Sequence, residues 1–515
     1  MKKQVSLLLL AAVAGAGIAW WCMSSGVGVS PDSVVYLSAA DSFAAGTGLK
    51  PIAFHYSPKV PGGQPLVSFP PVYPLLLSLS GTTTASPVGG VRGLHSLLFA
   101  GNIFLVGLIV YLATARSLLA ALVGVLLFVS SPPILEIHTM AWSEPPFILF
   151  ILLAALLLMR HLATRNYLLL VGASLAAGLA ITTRYAGLTI LPPMIITIFF
   201  LDDAPLKTRI RECLIIAGIA LCPLALWFLR NRMVSGSAAN RSLAFHPLKH
   251  PEFKEMANAL VAFWLPFSGS AYLKIAFLFL GACLVLTGIV LAFKSRRSEH
   301  SEKINGEMQM FAAVFITTYL LFLCAYNSFM DPAVDLSTRV LSPIYAPAII
   351  LIICFAFKLS RLGTRVPLWR GFLFLSLALI AMNARHAVSF AAARHNDGSG
   401  FASRAWAGSK TIEYLKNSSE VRTTYSNGID AVYFLTKKEA LRIPAKIDPT
   451  TGKSNLDFER EINSMRVELL QKRAVLVYLD KITWRWYLPT KDELNNVYKL
   501  PILFQLDDGT IYGIE

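Results

Sequence analysis

Long apolar segments joined by short polar connections fill the chain up to about residue 390. A membrane-spanning helix needs roughly 20 mainly apolar residues, and eleven segments come close to that length. They lie at about residues 5–25, 92–113, 118–136, 144–160, 167–182, 186–201, 212–230, 272–293, 309–326, 340–358 and 370–389. The pattern predicts a mainly α fold, a polytopic transmembrane bundle of about 11 spans. Residues 71–80 are too short to span and suit an interfacial or re-entrant helix.

From about residue 391 onward, short strand-like runs alternate with helical patterns. The runs rich in strand-forming residues are Val421–Tyr425, Ala431–Leu435, Ala474–Leu479, Leu503–Leu506 and Thr510–Ile514. The last two flank Asp507-Asp508-Gly509, which is typical of a β-hairpin. Helical patterns cover about residues 401–417 and 457–472. We expect a transmembrane domain at residues 1–390 and a small α/β domain at residues 391–515, long enough for a core of its own.

The composition excludes an ordinary soluble protein. Hydrophobic residues make up 55% of the 515 residues and charged residues only 15%, so a soluble fold would expose large apolar patches. A net charge of +16 can indicate nucleic-acid binding. In a membrane protein it more often reflects basic cytoplasmic loops and contact with anionic lipid. No segment resembles a nucleic-acid-binding module.

Lysine and arginine are concentrated in alternate connections, which predicts the orientation in the membrane. The basic connections hold Lys2 and Lys3; Arg116; Arg160 and Arg165; Lys207, Arg209 and Arg211; Lys294, Arg296, Arg297 and Lys303; and Lys358, Arg361, Arg365 and Arg370. We expect them on the cytoplasmic side, with a cytoplasmic N-terminus and an extracytoplasmic C-terminus. The first extracytoplasmic loop is then about residues 26–91. The apolar start continues past Trp21 without a clear cleavage site, so we expect a retained first span rather than a signal peptide.

The first predicted outer loop begins with a helix-start signal. Ser30 is a good N-cap, Pro31 suits the first turn, and Asp32 lies where the helix dipole favours an anion. An acid at a membrane boundary can also act as a general base towards a substrate hydroxyl. The residues alone leave both interpretations open: Asp32 is a base, or it only stabilises the start of a helix.

Four ionisable side chains lie at the outer ends of predicted spans: Glu144, Arg184, Arg230 and Arg339. Such residues at a membrane boundary indicate functional sites, and guanidinium groups bind phosphate through forked hydrogen bonds. Ordinary structural roles are the alternative. Glu144 can cap a helix, Arg184 can reach lipid headgroups, and Arg339 can pair with Asp335.

Cysteine and histidine positions do not predict a metal site. The six cysteines are Cys22, Cys213, Cys222, Cys283, Cys324 and Cys354. All lie in or beside apolar segments without metal-ligand spacing, so we expect no disulfide framework and no zinc site. His246 and His250 are four residues apart, but Pro247 and Pro251 interrupt a continuous helix face.

Several short motifs lie in the first predicted outer loop or near the ends of the predicted spans. They are Asp32-x-x-x-Tyr36-x-x-x-Ala40, Gly46-Thr47-Gly48, Phe69-Pro70-Pro71-Val72-Tyr73-Pro74, Ser143-Glu144-Pro145, the turn from Gly178 through Arg184 to Gly187, Arg230-Asn231, and Arg339 before Pro343. This set resembles the GT-C integral-membrane glycosyltransferases, most of all the bacterial branch related to protein O-mannosyltransferases and lipid A aminoarabinose transferases. Together the motifs cover about residues 1–390.

The resemblance implies roles for individual residues. Asp32 would be catalytic, and the substrate-binding residues would be Tyr36, Glu144, Arg184, Arg230, Arg339 and Tyr345. Two positions depart from the family pattern. Ser33 stands where many members have a second acid, which leaves the use of a divalent cation open. Val340 stands where tyrosine is common.

The resemblance further implies an inverting glycosyltransferase of the bacterial inner (plasma) membrane. It would move a hexosyl or pentosyl group from a polyprenyl-phosphate-linked donor to a hydroxyl of a lipid, glycan or protein acceptor in the cell envelope. Two other functions fit the same features: a transporter or flippase of lipid-linked sugars, or a non-catalytic envelope assembly protein. No internal repeat is evident, whereas many secondary transporters contain one.

Overall fold

The computed structural model describes residues 2–51, 65–81, 89–239, 241–266, 269–297, 300–361, 368–418, 422–449 and 452–515. The helices are α1 Lys2–Cys22, α2 Pro31–Ala44, α3 Val72–Leu79, α4 Gly90–Ala113, α5 Leu118–Val129, α6 Pro132–Thr139, α7 Glu144–Thr164, α8 Tyr167–Thr183, α9 Leu191–Leu201, α10 Leu206–Ser235, α11 His250–Ala262, α12 Ala271–Lys294, α13 His300–Phe329, α14 Thr338–Leu341, α15 Tyr345–Arg361, α16 Leu368–Asp397, α17 Arg404–Ala407, α18 Lys410–Asn417, α19 Ile429–Thr436 and α20 Phe458–Leu470. The strands are β1 Ser242–Leu243, β2 Met330–Asp331, β3 Thr423–Ser426, β4 Leu441–Arg442, β5 Ala474–Leu479, β6 Ile502–Leu506 and β7 Gly509–Tyr512.

The chain divides into two compact units. The first contains Met1–Ser24, Val67–Tyr73 and Arg92–His395, and the second contains Ser25–Leu66, Pro74–Val91 and Asn396–Glu515. The first unit is a bundle of apolar helices. The second unit combines the segment around α2 with the strands and helices after residue 396. The domain limits predicted from the sequence, 1–390 and 391–515, stay a prediction.

The predicted fold class, a polytopic helical bundle with a small α/β C-terminal part, is confirmed. Among the described residues, eight helices are long and apolar enough to cross a membrane, or up to nine if the bent pair α5 and α6 counts as one. Two apolar segments, Tyr167–Thr183 and Tyr185–Leu201, are shorter. The chain is therefore an integral, multi-pass membrane protein. The count of about eleven spans stays a prediction.

The segment predicted at residues 118–136 is not one straight helix. It divides into α5 and α6, which meet at an angle of 67°. Ser130 and Ser131 occupy the break, and Pro132 and Pro133 begin α6. Since proline has no backbone N–H, neither residue can continue the hydrogen bonding of α5.

A second interruption brings Arg184 to a helix end. Helix α8 stops at Thr183, and Arg184 is extended, with φ −148° and ψ 133°. A 3-10 helix, Tyr185–Ile190, leads into α9. Gly187 permits this compact turn, because a Cβ there would lie 2.6 Å from the backbone of Ile181.

The C-terminal part of the second unit contains a five-stranded mixed sheet in the order β4-β3-β5-β7-β6. Strand β3 pairs in parallel with both β4 and β5, whereas β7 is antiparallel to β5 and to β6. The predicted hairpin across Asp507-Asp508-Gly509 is thus present. Buried residues of α20 and β5, such as Ile462, Met465 and Leu476, form the core beneath the sheet.

One predicted strand is wrong. Ala431–Leu435 belongs to helix α19, which starts after Gly428 and carries Asp430 in its first turn. A short apolar run cannot be assigned to strand or helix from periodicity alone. Here the acidic first turn favours the helix through the helix dipole. Of the run Val421–Tyr425, residue 421 lies outside the described residues, and β3 begins at Thr423.

Candidate functional site

Two arginines from distant parts of the first unit share one carboxylate oxygen. Arg184 Nη1 lies 2.7 Å from Glu144 Oε1, and Arg339 Nε donates a hydrogen bond to the same oxygen at 2.8 Å. The Glu144 side chain is fully buried, and the guanidinium-bearing side chains are 18% and 22% exposed, respectively. The second carboxylate oxygen of Glu144 is buried and has no hydrogen-bond partner among the described residues. Of the residues predicted to bind substrate, the structure therefore brings these three together.

The residues before α7 support both arginines. Arg184 Nη1 also donates to the hydroxyl of Ser143 at 3.0 Å. The Arg339 guanidinium lies over the Trp142 ring, 4.5 Å from its centroid, a cation–π contact. The segment that carries Arg339 is held by Tyr319, whose hydroxyl donates to the Val340 carbonyl at 2.7 Å.

Arg230 is connected to this group indirectly, through Trp227 and Tyr185. Its guanidinium lies 4.7 Å from the Trp227 ring centroid and donates to Asn231 Oδ1 at 2.9 Å. Trp227 Nε1 in turn donates to the hydroxyl of Tyr185 at 3.1 Å. Tyr185 directly follows Arg184, so a chain of contacts connects the end of α10 with the arginine pair.

The remaining predicted site residues have different surroundings. Tyr345 is buried, donates its hydroxyl to the Leu127 carbonyl at 2.9 Å, and packs against Trp264 with ring centroids 4.9 Å apart. Asp32 and Tyr36 lie on α2 in the second unit, where Asp32 is half-buried and Tyr36 is 3% exposed. The catalytic role of Asp32 and the substrate-binding roles of both tyrosines stay predictions.

The loop after α10 contains a pair that the sequence did not predict. His246 Nε2 lies 2.8 Å from Asp331 Oδ1, and strands β1 and β2 align the two segments antiparallel. His250 instead begins α11. Within the described part of the chain, no three His, Cys, Asp or Glu residues are grouped so that they could hold a metal ion.

Sequence reasoning missed three buried polar residues near the start of α7: His95, Asn102 and His138. All are fully buried. A signal was present, because His95 and Asn102 interrupt a predicted membrane span seven residues apart, and polar residues inside spans are often functional. Their partners come from separate helices and could not be read from the sequence.

The chain matches the sequence profile of the family described as dolichyl-phosphate-mannose-protein mannosyltransferase over residues 60–234. A comparison with curated protein sequences finds no match. The crystal structure of ArnT from Cupriavidus metallidurans in the apo state aligns with 98% of this chain and 97% of its own, at a TM-score of 0.55 and 12% identity. The chain has the GT-C fold.

Two further structures with this fold are similar. ArnT from Cupriavidus metallidurans bound to undecaprenyl phosphate aligns with 98% of this chain and 97% of its own, at a TM-score of 0.51 and 14% identity. The oligosaccharyltransferase of Archaeoglobus fulgidus, tethered with an acceptor peptide, aligns with 92% of this chain and 69% of its own, at a TM-score of 0.51 and 14% identity. The resemblance to GT-C glycosyltransferases predicted from the sequence is confirmed by the family match and the fold.

Proposed function

We propose that the chain is a membrane glycosyltransferase that moves a sugar from a polyprenyl-phosphate-linked donor to an acceptor hydroxyl. The main observation in support is the convergence of Arg184 and Arg339 on one oxygen of Glu144. A phosphate also offers oxygens that accept hydrogen bonds from two guanidinium groups. The GT-C fold adds support, since a neighbour with this fold was crystallised with undecaprenyl phosphate.

The proposed reaction is a single displacement with inversion. Asp32 takes the proton of the acceptor hydroxyl, whose oxygen forms a bond to the anomeric carbon of the donor sugar. The bond between that carbon and the phosphate oxygen breaks, and polyprenyl phosphate leaves with the electron pair. Arg184 and Arg339 stabilise the charge on the departing phosphate, because fixed positive groups at developing negative charge lower the barrier. We assign no step to a metal ion.

We further propose that the arginine pair faces the extracytoplasmic side. Helix α7 has 21 residues, which at 1.5 Å per residue span about 30 Å, close to the thickness of the hydrocarbon core. Glu144 begins this helix, and Arg165 follows its other end and pairs with Asp202. Asp203 binds Lys303 and Arg296. We call Arg165, Arg296 and Lys303, together with Asp202 and Asp203, the basic cluster. It lies about one helix length from the arginine pair, as the positive-inside rule expects if that pair is outside.

The acceptor, a lipid, glycan or protein, then approaches from the extracytoplasmic side. The donor's isoprenoid tail stays in the bilayer. The C-terminal α/β part would be extracytoplasmic as well. The bacterial inner membrane is the proposed location.

The experiment compares envelope glycans and lipids from a deletion strain with those from a strain that carries the restored gene. Mass spectrometry should show the loss of one sugar from an envelope component and accumulation of a polyprenyl-phosphate sugar. Membranes containing the protein should then form the missing glycosidic bond when supplied with that donor. If the substrate crosses the membrane without a new bond, the protein is a transporter. Unchanged glycans and lipids would exclude the transferase.

A further inference from the structure

A chain of buried polar side chains connects the first loop segment with the start of α7 inside the first unit. The Tyr73 hydroxyl lies 2.8 Å from His95 Nε2, and His95 Nδ1 lies 3.1 Å from the His138 carbonyl oxygen. Asn102 Nδ2 lies 2.9 Å from His138 Nε2 and 3.0 Å from the Pro145 carbonyl oxygen. All four side chains are fully buried. We call Tyr73, His95, His138 and Asn102 the buried polar chain.

The acceptors fix where the hydrogens lie. His138 Nδ1 is 2.7 Å from the Ile134 carbonyl, and a carbonyl can only accept, so Nδ1 donates and Nε2 accepts from Asn102. His95 likewise donates from Nδ1 to the His138 carbonyl. When this buried ring is neutral, its Nε2 accepts from the Tyr73 hydroxyl, a group that can donate or accept. These hydrogen positions are assigned from the bonding pattern. Because the backbone carbonyl of His138 interrupts the sequence of side chains, the chain cannot relay a proton from Tyr73 to Asn102.

Asn102, the last residue of the buried polar chain, acts on the residue beside Glu144. Pro145 follows Glu144 directly, and Asn102 holds the Pro145 carbonyl. A capping side chain would bind the N–H groups of the second and third residues of α7, but these are Pro145 and Pro146, which have no N–H. The Asn102 amide instead donates to the Pro145 carbonyl, so a bond from α4 holds this turn at the point where the Glu144 side chain leaves the helix.

Helices α4 and α7 also approach closely beside this bond. A Cβ on Gly101, the residue before Asn102, would lie 2.8 Å from Leu149 Cδ1. The glycine leaves room for the Leu149 side chain of α7 beside Asn102, and a larger residue would require that side chain to shift. The contact and the hydrogen bond thus act on the same turn of α7.

We propose that the buried polar chain is a positioning device for Glu144, and through it for the spacing of Arg184 and Arg339. Asn102 and His138 are positioning residues, because neither contacts the arginines. Tyr73 belongs to the Pro-Pro-x-Tyr-Pro motif, so the buried polar chain connects this part of the first loop to Glu144 and hence to the arginine pair. The expected effect on catalysis rests on the proposed function, whereas the geometric link between the buried polar chain and Glu144 does not depend on it.

The first test is Asn102→Leu, which removes both donated bonds at similar side-chain volume. The turnover number for sugar transfer should fall about 10²-fold, since a misplacement of about 1 Å can have that effect. The KM for the donor should rise much less, because a bound phosphate can adjust to a shifted guanidinium, whereas transition-state stabilisation depends on fixed geometry.

A matched control is Asn305→Leu. Asn305 is also buried, and its Nδ2 donates to the carbonyls of Ala113 at 3.0 Å and Cys354 at 3.3 Å. It lies 14 residues before Tyr319 on α13, about 21 Å along the helix. Turnover in Asn305→Leu should stay near that of the parent. If both variants lose turnover equally at matched protein level, general destabilisation explains the effect and the proposal is wrong.

Two substitutions of His138 test whether its role as a hydrogen-bond acceptor matters. In His138→Gln the amide oxygen can take over the acceptor role of Nε2, whereas His138→Leu has no acceptor. Glutamine should restore most of the turnover lost with leucine. Equal turnover in the two variants would contradict a positioning role for this hydrogen bond.

A readout without activity separates this proposal from the proposed function. The fall in melting temperature caused by Glu144→Gln should be smaller in the Asn102→Leu background than in the parent, because the variants act on one connected structure. In the Asn305→Leu background the fall should be additive. Additive falls in both backgrounds would overturn the link even if the protein transfers sugar. Coupling without transfer would keep the link and reject the glycosyltransferase.

Discussion

Glu144 Oε1 and Arg339 Nε are joined by a 2.8 Å hydrogen bond although 195 residues separate them in the chain. Because Arg184 binds the same oxygen, the start of α7, the end of α8 and the segment before α15 must all be in place together. A buried carboxylate needs such partners, since an unpaired buried charge is strongly unfavourable. Glu144 is therefore the point on which the two proposed phosphate ligands depend.

Glu144→Gln should remove the shared negative charge while keeping the shape of the side chain. We expect a loss of about 3 kcal/mol in the free energy of unfolding, at the lower end of the range for a buried pair because both arginines are partly exposed. Sugar transfer should fall as well, since the two guanidinium groups lose their common anchor. Unfolding in detergent and transfer in membranes measure the two effects.

The control for that variant is Glu136→Gln. Glu136 Oε1 lies 3.1 Å from Arg394 Nη2, and both side chains are partly exposed, at 35% and 27%. An ion pair of this kind contributes about 1 kcal/mol or less. If the two glutamine variants are equally stable and equally active, Glu144 has no special role.

Arg339→Ala should strongly weaken the use of the lipid-linked donor, and Arg339→Lys should restore it only in part. Arg339 places its planar guanidinium over Trp142 while Nε donates to Glu144, a combination that the single ammonium of lysine cannot reproduce. Transfer rates over a range of donor concentrations provide the measurement. Full activity of Arg339→Ala membranes would reject the phosphate role and leave a purely structural one.

Asp202 and Asp203 allow a comparison of neighbouring carboxylates in the basic cluster. Asp202 is fully buried and paired with Arg165, whose side chain is 40% exposed. Asp202→Asn should lower the free energy of unfolding by about 2–3 kcal/mol, less than for a fully buried pair, because Arg165 can still reach water. Asp203 is 54% exposed, so Asp203→Asn should change it by about 1 kcal/mol or less. Equal melting temperatures for the two variants would contradict this difference.

The same pair predicts a pH dependence. Burial is the largest single influence and raises the pKa of Asp202, but the hydrogen bonds from Arg165 and the Ala204 N–H, with the charges of Arg165 and Lys303, together outweigh it, so the net pKa lies below its usual value. A lowered folded-state pKa stabilises the protein above the usual aspartate pKa of about 3.9, and this stability is lost as the pH falls through the folded value. Melting curves from pH 6 down should therefore show a smaller acid-induced loss in Asp202→Asn than in the parent. A parallel loss in both would show that other groups control the acid response.

Much of the fold follows from the sequence because apolar length and periodicity determine it. Each of the eleven apolar segments is helical, and the hairpin across Asp507-Asp508-Gly509 has the predicted form. The predicted and observed elements differ at two places, and at each of them two local sequence signals favour different structures. Pro132 and Pro133 interrupt an apolar run that is otherwise long enough to be one span, and Ala431–Leu435 has strand-forming residues inside a helix with an acidic start.

The site was predictable only as a set of candidates. Ionisable residues at span ends identified Glu144, Arg184 and Arg339, but the partner considered for Arg339 was the nearby Asp335, whereas its carboxylate partner in the structure is Glu144. Which residues meet depends on how α7, α8 and α14 pack, and no local pattern contains that information. The same holds for Asn102 and His138, whose bond joins α4 to α6.

The proposed orientation can be tested with a reporter enzyme that is active only outside the cytoplasm. Fused after Glu515, it should be active. Fused at Arg296, between α12 and α13, it should be silent, because this connection belongs to the basic cluster. Activity at Arg296 together with silence at Glu515 would reverse the orientation and exclude an outer site for Asp32.

The proposed base is tested by Asp32→Asn, which keeps the side-chain shape but removes the basic carboxylate. The cap of α2 is made by Ser30 and Ser33: the Ser30 hydroxyl accepts from Ser33 N, and the Ser33 hydroxyl accepts from Ser30 N. The helix start therefore keeps these bonds, and stability should change by about 1 kcal/mol or less. Loss of a general base typically lowers the rate about 10²–10⁴-fold. We expect that fall in sugar transfer at matched protein level.

Asp41→Asn is the control for Asp32→Asn within the same helix. Asp41 is also half-buried and lies nine residues further on, which places it on the opposite face, since 3.6 residues make one turn. Its substitution should affect transfer much less, while donor binding should change little in either variant. If Asp32→Asn transfers sugar at the parent rate, Asp32 is not the base, and stabilisation of the helix start is its remaining role.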